Sequence, residues 1–367
     1  MKIVLIQNKV YYNNGSEKKE IHPFWLRERV NNEEYLDKGT QQRLFDPTFL
    51  SNDISINKVD INEKYLEVNF NDGVNSKLEI DKIALEFSKE DIVIRSIQKT
   101  KWNSGFKHIK NFKYQENFYE SKEMHDLLVS FYTYGFVIIK NIPTSKNYIV
   151  EFANSVGSVR RTNFGEYFDV KSKPDPNDLA YTSLALAPHT DNPYRNPVPC
   201  IQLLHCIESK VSGGLSTLVD GYTVTEDLKK QNPEFYKILT DVKVRFKFID
   251  KEIILETISP LIELYEDKSF KQVRFSPRLD YVPILDKEKL DLYYQARKKL
   301  SEMYNSDKYR IEFKLEPKDL MMMDNHRLLH GRTAYETKEG ERFLQGCYID
   351  YDSTEGKLRH LKRKFNL

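Results

Sequence analysis

Alternation of apolar and polar residues dominates the first hundred positions. Leu66-Glu67-Val68-Asn69-Phe70 puts its apolar side chains on one face of an extended segment, as a half-buried strand does. Asn71-Asp72-Gly73-Val74 follows, and Asp-Gly is a hairpin-turn signal. Ile83, Leu85 and Phe87 alternate in the same way, and Ile92-Val93-Ile94 is a short apolar run. Residues 1–95 therefore read as a small β-rich domain of short strands. The Lys- and Asn-rich stretch 97–120 reads as a linker, and a domain boundary is placed there.

The period then changes. Met124, Leu127, Leu128 and Phe131 share one helical face over Glu123–Tyr134, and Gly135 ends the helix. Phe136-Val137-Ile138-Ile139 reads as a buried strand. A second helix is predicted from Thr144 or Ser145, carrying Ile149, Phe152, Ala153 and Val156 and stopped by Gly157. Further helices are expected over Pro233–Leu239, capped by Asn232, and over Lys287–Tyr304. Strands are expected at 203–205, 217–219, 242–248, 273–275, 311–315, 320–323 and 343–349. Many strands with few helices over 115–367 indicate a mainly β double-sheet barrel of jelly-roll type, with helices packed outside.

The 367 residues are 40% hydrophobic and 31% charged, which fits a globular protein. A net charge of +2 gives no electrostatic case for a nucleic-acid or membrane partner. The Lys-rich runs at 107–113 and 359–364 read as solvated surface. Three cysteines, Cys200, Cys206 and Cys347, match no zinc spacing, and an odd number argues against a disulfide framework. The apolar start Met1–Ile6 is too short for a signal-peptide core, and no run is long enough to span a membrane. A cytoplasmic location is the expectation.

Candidate chemistry centres on His189-Thr190-Asp191 and on His330 far downstream. On an extended segment His189 and Asp191 point to one face. With His330 they form the set of two imidazoles and one carboxylate that holds non-haem Fe(II) with open positions. A His-x-Asp pair taken alone also fits a surface hydrogen-bonded pair. Arg342 opens the strand Arg342–Tyr348, and alternation puts Arg342, Leu344, Gly346 and Tyr348 on one face. A guanidinium there suits the distal carboxylate of a cosubstrate such as 2-oxoglutarate. A surface arginine at a strand start is the other reading. Gly213-Gly214 allows a tight turn, and a hydroxyl just beyond it suits the same carboxylate; a plain turn explains it equally well.

Several segments together carry a family resemblance. They are Tyr181–Leu184, His189–Asp191, Gln202–Cys206, Gly213-Gly214, Val219-Asp220-Gly221 and Asp324–Arg332. The chain resembles the gamma-butyrobetaine hydroxylase family, a branch of the taurine-dioxygenase-like Fe(II)/2-oxoglutarate oxygenases, from about Trp25-Leu26-Arg27 to Asp352. The resemblance implies a double-stranded β-helix core, a small N-terminal domain and a homodimer. It implies Fe(II) at His189, Asp191 and His330, with Arg342 and Ser216 binding 2-oxoglutarate. The implied reaction uses O₂, converts 2-oxoglutarate to succinate and hydroxylates a small trimethylammonium substrate. Phe164, Phe168, Tyr181 and Tyr348 would form an aromatic cage for the cation.

Three departures from that pattern matter. Eukaryotic-type relatives place a cysteine-containing zinc site after the Trp-Leu-Arg motif, yet residues 1–199 contain no cysteine. Asp178 stands where an asparagine is expected near the substrate, as in trimethyllysine hydroxylases. Arg195 and Arg278 are candidate anion clamps, and phosphonate-hydroxylating relatives look similar there; structural salt-bridge partners are the other reading of both. The alternatives are accordingly a trimethylaminoethylphosphonate or trimethyllysine hydroxylase. From other classes, a non-catalytic metal-binding module and a zinc hydrolase also fit the ligand types.

Overall fold

The computed structural model describes residues 2–87, 97–107, 109–171 and 182–367. The chain divides into two compact units, Met1–Ser96 and Ile97–Leu367. The expected apolar strand at 92–94 lies outside the described residues.

The first unit holds two three-stranded antiparallel sheets. One consists of β1 (Lys2–Ile6), β2 (Lys9–Asn13) and β3 (Lys18–Glu20). The other consists of β4 (Ile56–Ile61), β5 (Tyr65–Phe70) and β6 (Asn75–Glu79). Val10, Leu26, Leu66 and Phe70 anchor its core. The turn between β5 and β6 uses Gly73 at φ 86°, a conformation glycine adopts freely. Ile83, Leu85 and Phe87, expected on a strand, belong instead to a helix, Ile80–Phe87. Ile80, Ile83 and Phe87 pack on the core at helical spacing while Leu85 is exposed. Phe87 stacks on Tyr12 at 4.7 Å. The buried Arg27 bonds Asp72 at 2.7 Å and lies over Tyr35 and Phe45 at 4.7 and 5.3 Å.

The second unit is built on two facing sheets. The larger has six strands: β7 (Asn111–Lys113), β8 (Phe136–Lys140), β9 (Phe168–Val170), β11 (Ile201–Ser209), β19 (Leu320–Asp324) and β21 (Arg342–Ile349). Their order is β7-β8-β19-β11-β21-β9. The smaller has β10 (Leu186–His189), β12 (Ser216–Asp220), β18 (Arg310–Phe313) and β20 (Leu328–Arg332), in the order β10-β20-β12-β18. From β10 to β12, and again from β18 to β21, successive strands alternate between the sheets. Phe136, Cys206, Met321 and Leu344 from one sheet meet Leu218, Ile311 and Leu328 from the other in a shared core. This is the expected double-stranded β-helix of jelly-roll type, mainly β with flanking helices.

The stretch 97–120 is more than a linker. β7 joins β8 in parallel, and Trp102 is buried, its indole N–H donating to the Tyr134 carbonyl at 2.8 Å. A short edge strand with one apolar residue, Phe112, leaves almost no hydrophobic period to detect. Helix Lys122–Tyr134 runs from a Ser121 cap to Gly135 at φ 84°. The next helix is Tyr148–Val156, and it starts at Asn147 rather than at Thr144 or Ser145. Between β12 and β18 the chain inserts helices Gly221–Gln231, Pro233–Asp241 and Lys287–Tyr304. They pack on β13 (Val244–Ile249), β15 (Ile262–Leu264) and β16 (Phe270–Val273). Strand β13 also pairs with β14 (Ile254–Ser259) and β17 (Asp280–Tyr281).

One buried ion pair joins several of these pieces. Arg327 donates to both Asp220 oxygens at 2.9 and 2.8 Å and to the carbonyls of Thr133 and Thr100 at 2.9 and 2.6 Å. Asp220 also caps helix Gly221–Gln231 through the Tyr222 N–H. Among the described residues no helix is long and apolar enough to cross a membrane.

Candidate active site

β10 and β20 are neighbours in the smaller sheet, and their register sets His189 directly opposite His330. The imidazole centroids are 4.4 Å apart. Asp191 follows β10 by two residues. Thr190 between them is turned away and pinned: its N–H donates to the Phe275 carbonyl at 2.9 Å, and its Oγ1 accepts the Phe275 N–H at 2.9 Å. That anchor forces His189 and Asp191 to the same side. Ligand atoms from His189, Asp191 and His330 all lie within 4.8 Å of one another.

The donor atoms are sorted by their other contacts. His189 Nδ1 lies 2.9 Å from the Ala187 carbonyl, which directs Nε2 inward. Asp191 Oδ1 is 3.5 Å from His189 Nε2 and 3.6 Å from His330 Nε2. Asp191 Oδ2 accepts the Tyr348 hydroxyl at 2.7 Å and the Gln202 amide. Burial alone would raise the Asp191 carboxyl, but His330, His189 and the Tyr348 hydroxyl hold it well below the carboxylate range. Burial pushes the His330 imidazole down to about 4, against the pull of Asp191. These groups suit a divalent metal: two imidazoles and one carboxylate oxygen brought to one point.

Asn325 holds the Asp191 backbone from behind. Its Oδ1 accepts the Asp191 N–H at 2.8 Å, and its Nδ2 donates to the carbonyls of Asp191 and Pro199 at 3.1 and 2.9 Å. Neither Asn325 nor Gln202 carried a role in the sequence reading. Both stand within the motifs quoted there, but only the fold brings them to Asp191.

A cavity of about 90 Å³ lies between the two sheets beside this cluster. His189, Asp191 and His330 line one part of it, and Ser216, Arg332 and Arg342 line another. Ser216 stands opposite Arg332 in register. Arg342 is buried and donates from Nε to the Gly214 carbonyl at 3.2 Å. The turn at Gly213-Gly214 makes this fit: a Cβ on Gly214, at φ +60°, would come within 2.9 Å of Arg342 Cδ and Nε. No carboxylate among the described residues pairs with Arg342. Burial, with Arg332 alongside, pushes its guanidinium down to about 10. A buried cation without a counter-charge fits an anionic ligand, so the residues present suit both a divalent metal and a carboxylate cosubstrate.

The aromatic positions separate. Phe168 lines the cavity, and its ring lies 5.4 Å from that of Tyr348. Phe164 makes its ring contact with Phe248 instead, at 5.8 Å, and Phe248 stacks on Tyr194. Phe164 itself sits in the turn closed by paired hydrogen bonds between Thr162 and Gly165. Tyr181 and Asp178 lie outside the described residues. Arg195 is engaged by the side chains of Asn163 and Asn192. Arg278 is exposed, and its charge reaches His330, adding to the depression of that imidazole.

Comparison with known proteins gives a consistent picture. Residues 98–348 match the model of the taurine catabolism dioxygenase TauD, TfdA family. The chain is 27% identical over 347 residues to the gamma-butyrobetaine dioxygenase of Pseudomonas sp. (strain AK-1), covering 93% of this chain and 90% of that one. It is 26% identical over 354 residues to the mitochondrial trimethyllysine dioxygenase of Bos taurus, covering 92% and 82%. Among solved structures, a putative alpha-ketoglutarate-dependent taurine dioxygenase from Burkholderia xenovorans superposes with a TM-score of 0.50. That match has 13% identity and covers 66% of this chain and 90% of the other. It supports the fold alone.

Proposed function

This chain belongs to the taurine catabolism dioxygenase TauD, TfdA family, and from that premise we propose that its substrate is a small trimethylammonium compound of the gamma-butyrobetaine type. The enzyme class is an Fe(II)- and 2-oxoglutarate-dependent dioxygenase that hydroxylates its substrate. Two relatives at nearly equal identity carry different substrates in their names, gamma-butyrobetaine and trimethyllysine, so the choice of substrate rests on the site.

The observation that carries the reading is the Phe168–Tyr348 ring pair, set against Asp191 through the Tyr348 hydroxyl. Phe168 brings a ring to the cavity wall with Tyr348 packed behind it, and aromatic rings attract a trimethylammonium head by cation–π interaction. In this reading His189, Asp191 and His330 hold Fe(II), which supplies oxygen activation when bound. Arg342 and Ser216 take the distal carboxylate of 2-oxoglutarate. Asn325 and Gln202 keep Asp191 fixed. Phe168, backed by Tyr348, holds the trimethylammonium head.

The other end of the substrate is assigned to Arg278. Its guanidinium is exposed, whereas that of Arg195 is already engaged by two asparagines. A carboxylate or phosphonate satisfies Arg278 equally, and Asp178 would oppose either one placed beside it. The test is succinate release by the Fe(II)-loaded enzyme with 2-oxoglutarate and a panel of trimethylammonium carboxylates, phosphonates and amino acids. Substrate-dependent succinate with one class assigns it. Succinate with none of them overturns the substrate reading.

A further inference from the structure

β9 is the edge strand of the six-stranded sheet and pairs antiparallel with β21. In that register Phe168 stands opposite Gly346 and Val170 opposite Leu344. The Phe168 ring lies down across the glycine. A Cβ built on Gly346 would sit 2.4 Å from both Cε2 and Cζ of that ring, far inside van der Waals contact. Any side chain at Gly346 therefore expels the ring from its present place. A glycine inside a strand often marks such a close approach. Gly346 lies outside the left-handed region, so an alanine there meets Phe168 without backbone strain.

The next contacts fix the ring further. Tyr348 follows two residues on along the same face of β21, and its ring is 5.4 Å from that of Phe168. One residue before Gly346, on the opposite face of β21, the buried Gln345 ties β9 in place. Its Nε2 donates to Asp169 Oδ1 at 2.9 Å, and its Oε1 accepts the Asn147 N–H at 2.9 Å. The register of β9 and the tilt of Phe168 are thus both set from β21.

We infer that Gly346 is a specificity-determining residue: by leaving room for Phe168 to lie on β21, it forms the aromatic wall that grips a cationic substrate head. Gly346 acts through Phe168 and touches no reacting atom, so it is a positioning residue. The inference rests on the substrate reading above, and its test separates the two.

Gly346→Ala, Phe168→Ala and the double variant are compared with the wild type. In urea denaturation Gly346→Ala destabilises the protein when Phe168 is present and loses most of that effect when Phe168 is alanine. Equal destabilisation in both backgrounds overturns the packing argument, and this readout needs no substrate. In the Fe(II)-loaded enzyme Gly346→Ala raises KM for the trimethylammonium substrate roughly tenfold, the loss of one ring face from a cation. KM for 2-oxoglutarate and kcat change little. The neutral tert-butyl isostere, which has no charge to lose, shows a smaller rise. An unchanged KM for the cation, or an equal rise for the isostere, overturns the specificity role. Wild-type enzyme inactive on every trimethylammonium compound would sink the substrate reading, while the denaturation cycle would still judge the packing of Phe168.

Discussion

Replacing Arg342 by methionine should make the ligand-free protein more stable and nearly abolish its use of 2-oxoglutarate. Arg342 is buried, and its guanidinium falls from 12.5 to about 10 through burial first and the neighbouring Arg332 second. At roughly 1.36 kcal/mol per unit, keeping that charge in the folded protein costs on the order of 3 kcal/mol. The cost applies below about pH 10, where the folded side chain is charged, and fades as pH rises through that value. Methionine removes the charge and retains an apolar stem. It also loses the 3.2 Å bond to Gly214, worth about 1 kcal/mol. The net gain is on the order of 2 kcal/mol.

The same variant loses a charge-assisted, bidentate partner for the cosubstrate carboxylate, worth about 3 kcal/mol. KM for 2-oxoglutarate should rise roughly a hundredfold at about 1.4 kcal/mol per decade. Iron binding should stay near wild type, since no metal-site group contacts Arg342 in the structure. Urea denaturation near neutral pH without metal or 2-oxoglutarate reads the first effect. Succinate formation against 2-oxoglutarate concentration reads the second. A variant less stable than wild type, with KM changed less than about fivefold, would refute the assignment of Arg342 as an uncompensated cation awaiting an anion.

Two further outcomes follow from buried charge. Arg327→Met strands Asp220, which is 1% exposed, and should cost about 3–5 kcal/mol in urea denaturation, with Asp220→Asn in the same chain recovering part; a loss under about 1 kcal/mol would contradict the role given to the pair. His205 is fully buried on β11, neither ring nitrogen has a partner among the described residues, and burial pushes the imidazole down from 6.5 to about 4. The unfolded chain takes up that proton as pH falls through about 6.5 and the folded chain does not, so stability holds above this range and declines between 6.5 and 4, by about 3 kcal/mol. His205→Leu should flatten the decline in urea midpoints measured across that window, and an unchanged slope would show that His205 does not contribute.

How much of this was legible in the sequence follows from which periods the fold respects. His189 and Asp191 sit on an extended segment, so period two placed them together correctly. Leu328-Leu329-His330-Gly331-Arg332 has no such signal, because β20 is buried on both faces, and its role emerged only from the motif around it. Ile80–Phe87 satisfied two periods at once: Ile83, Leu85 and Phe87 alternate, while Ile80, Ile83 and Phe87 follow a helix turn. Ala84, Leu85 and Glu86 are strong helix formers, which tips the balance. Phe164 and Phe168 were grouped by motif position. Phe164 sits inside the turn closed by Gly165 at φ +98° while Phe168 opens a strand, so spacing alone carries no argument about a shared face.

The placement of Asp191 shows what the sequence could not state about reactivity. Three ligand types are compatible with many metals and several chemistries. In the structure, Oδ2 of Asp191 is taken by Tyr348 and Gln202, leaving Oδ1 as the oxygen nearest both imidazoles. A metal held here would draw one oxygen from Asp191 and one nitrogen from each histidine, all from one side. The same cavity is lined by Arg342 and Ser216. A zinc hydrolase needs the first half of that arrangement and has no use for a buried guanidinium without a carboxylate partner. An enzyme that must hold a dicarboxylate with its keto-acid end at the metal needs both halves. On the proposed assignment, Arg342, more than the three ligands, would tie the metal centre to 2-oxoglutarate chemistry.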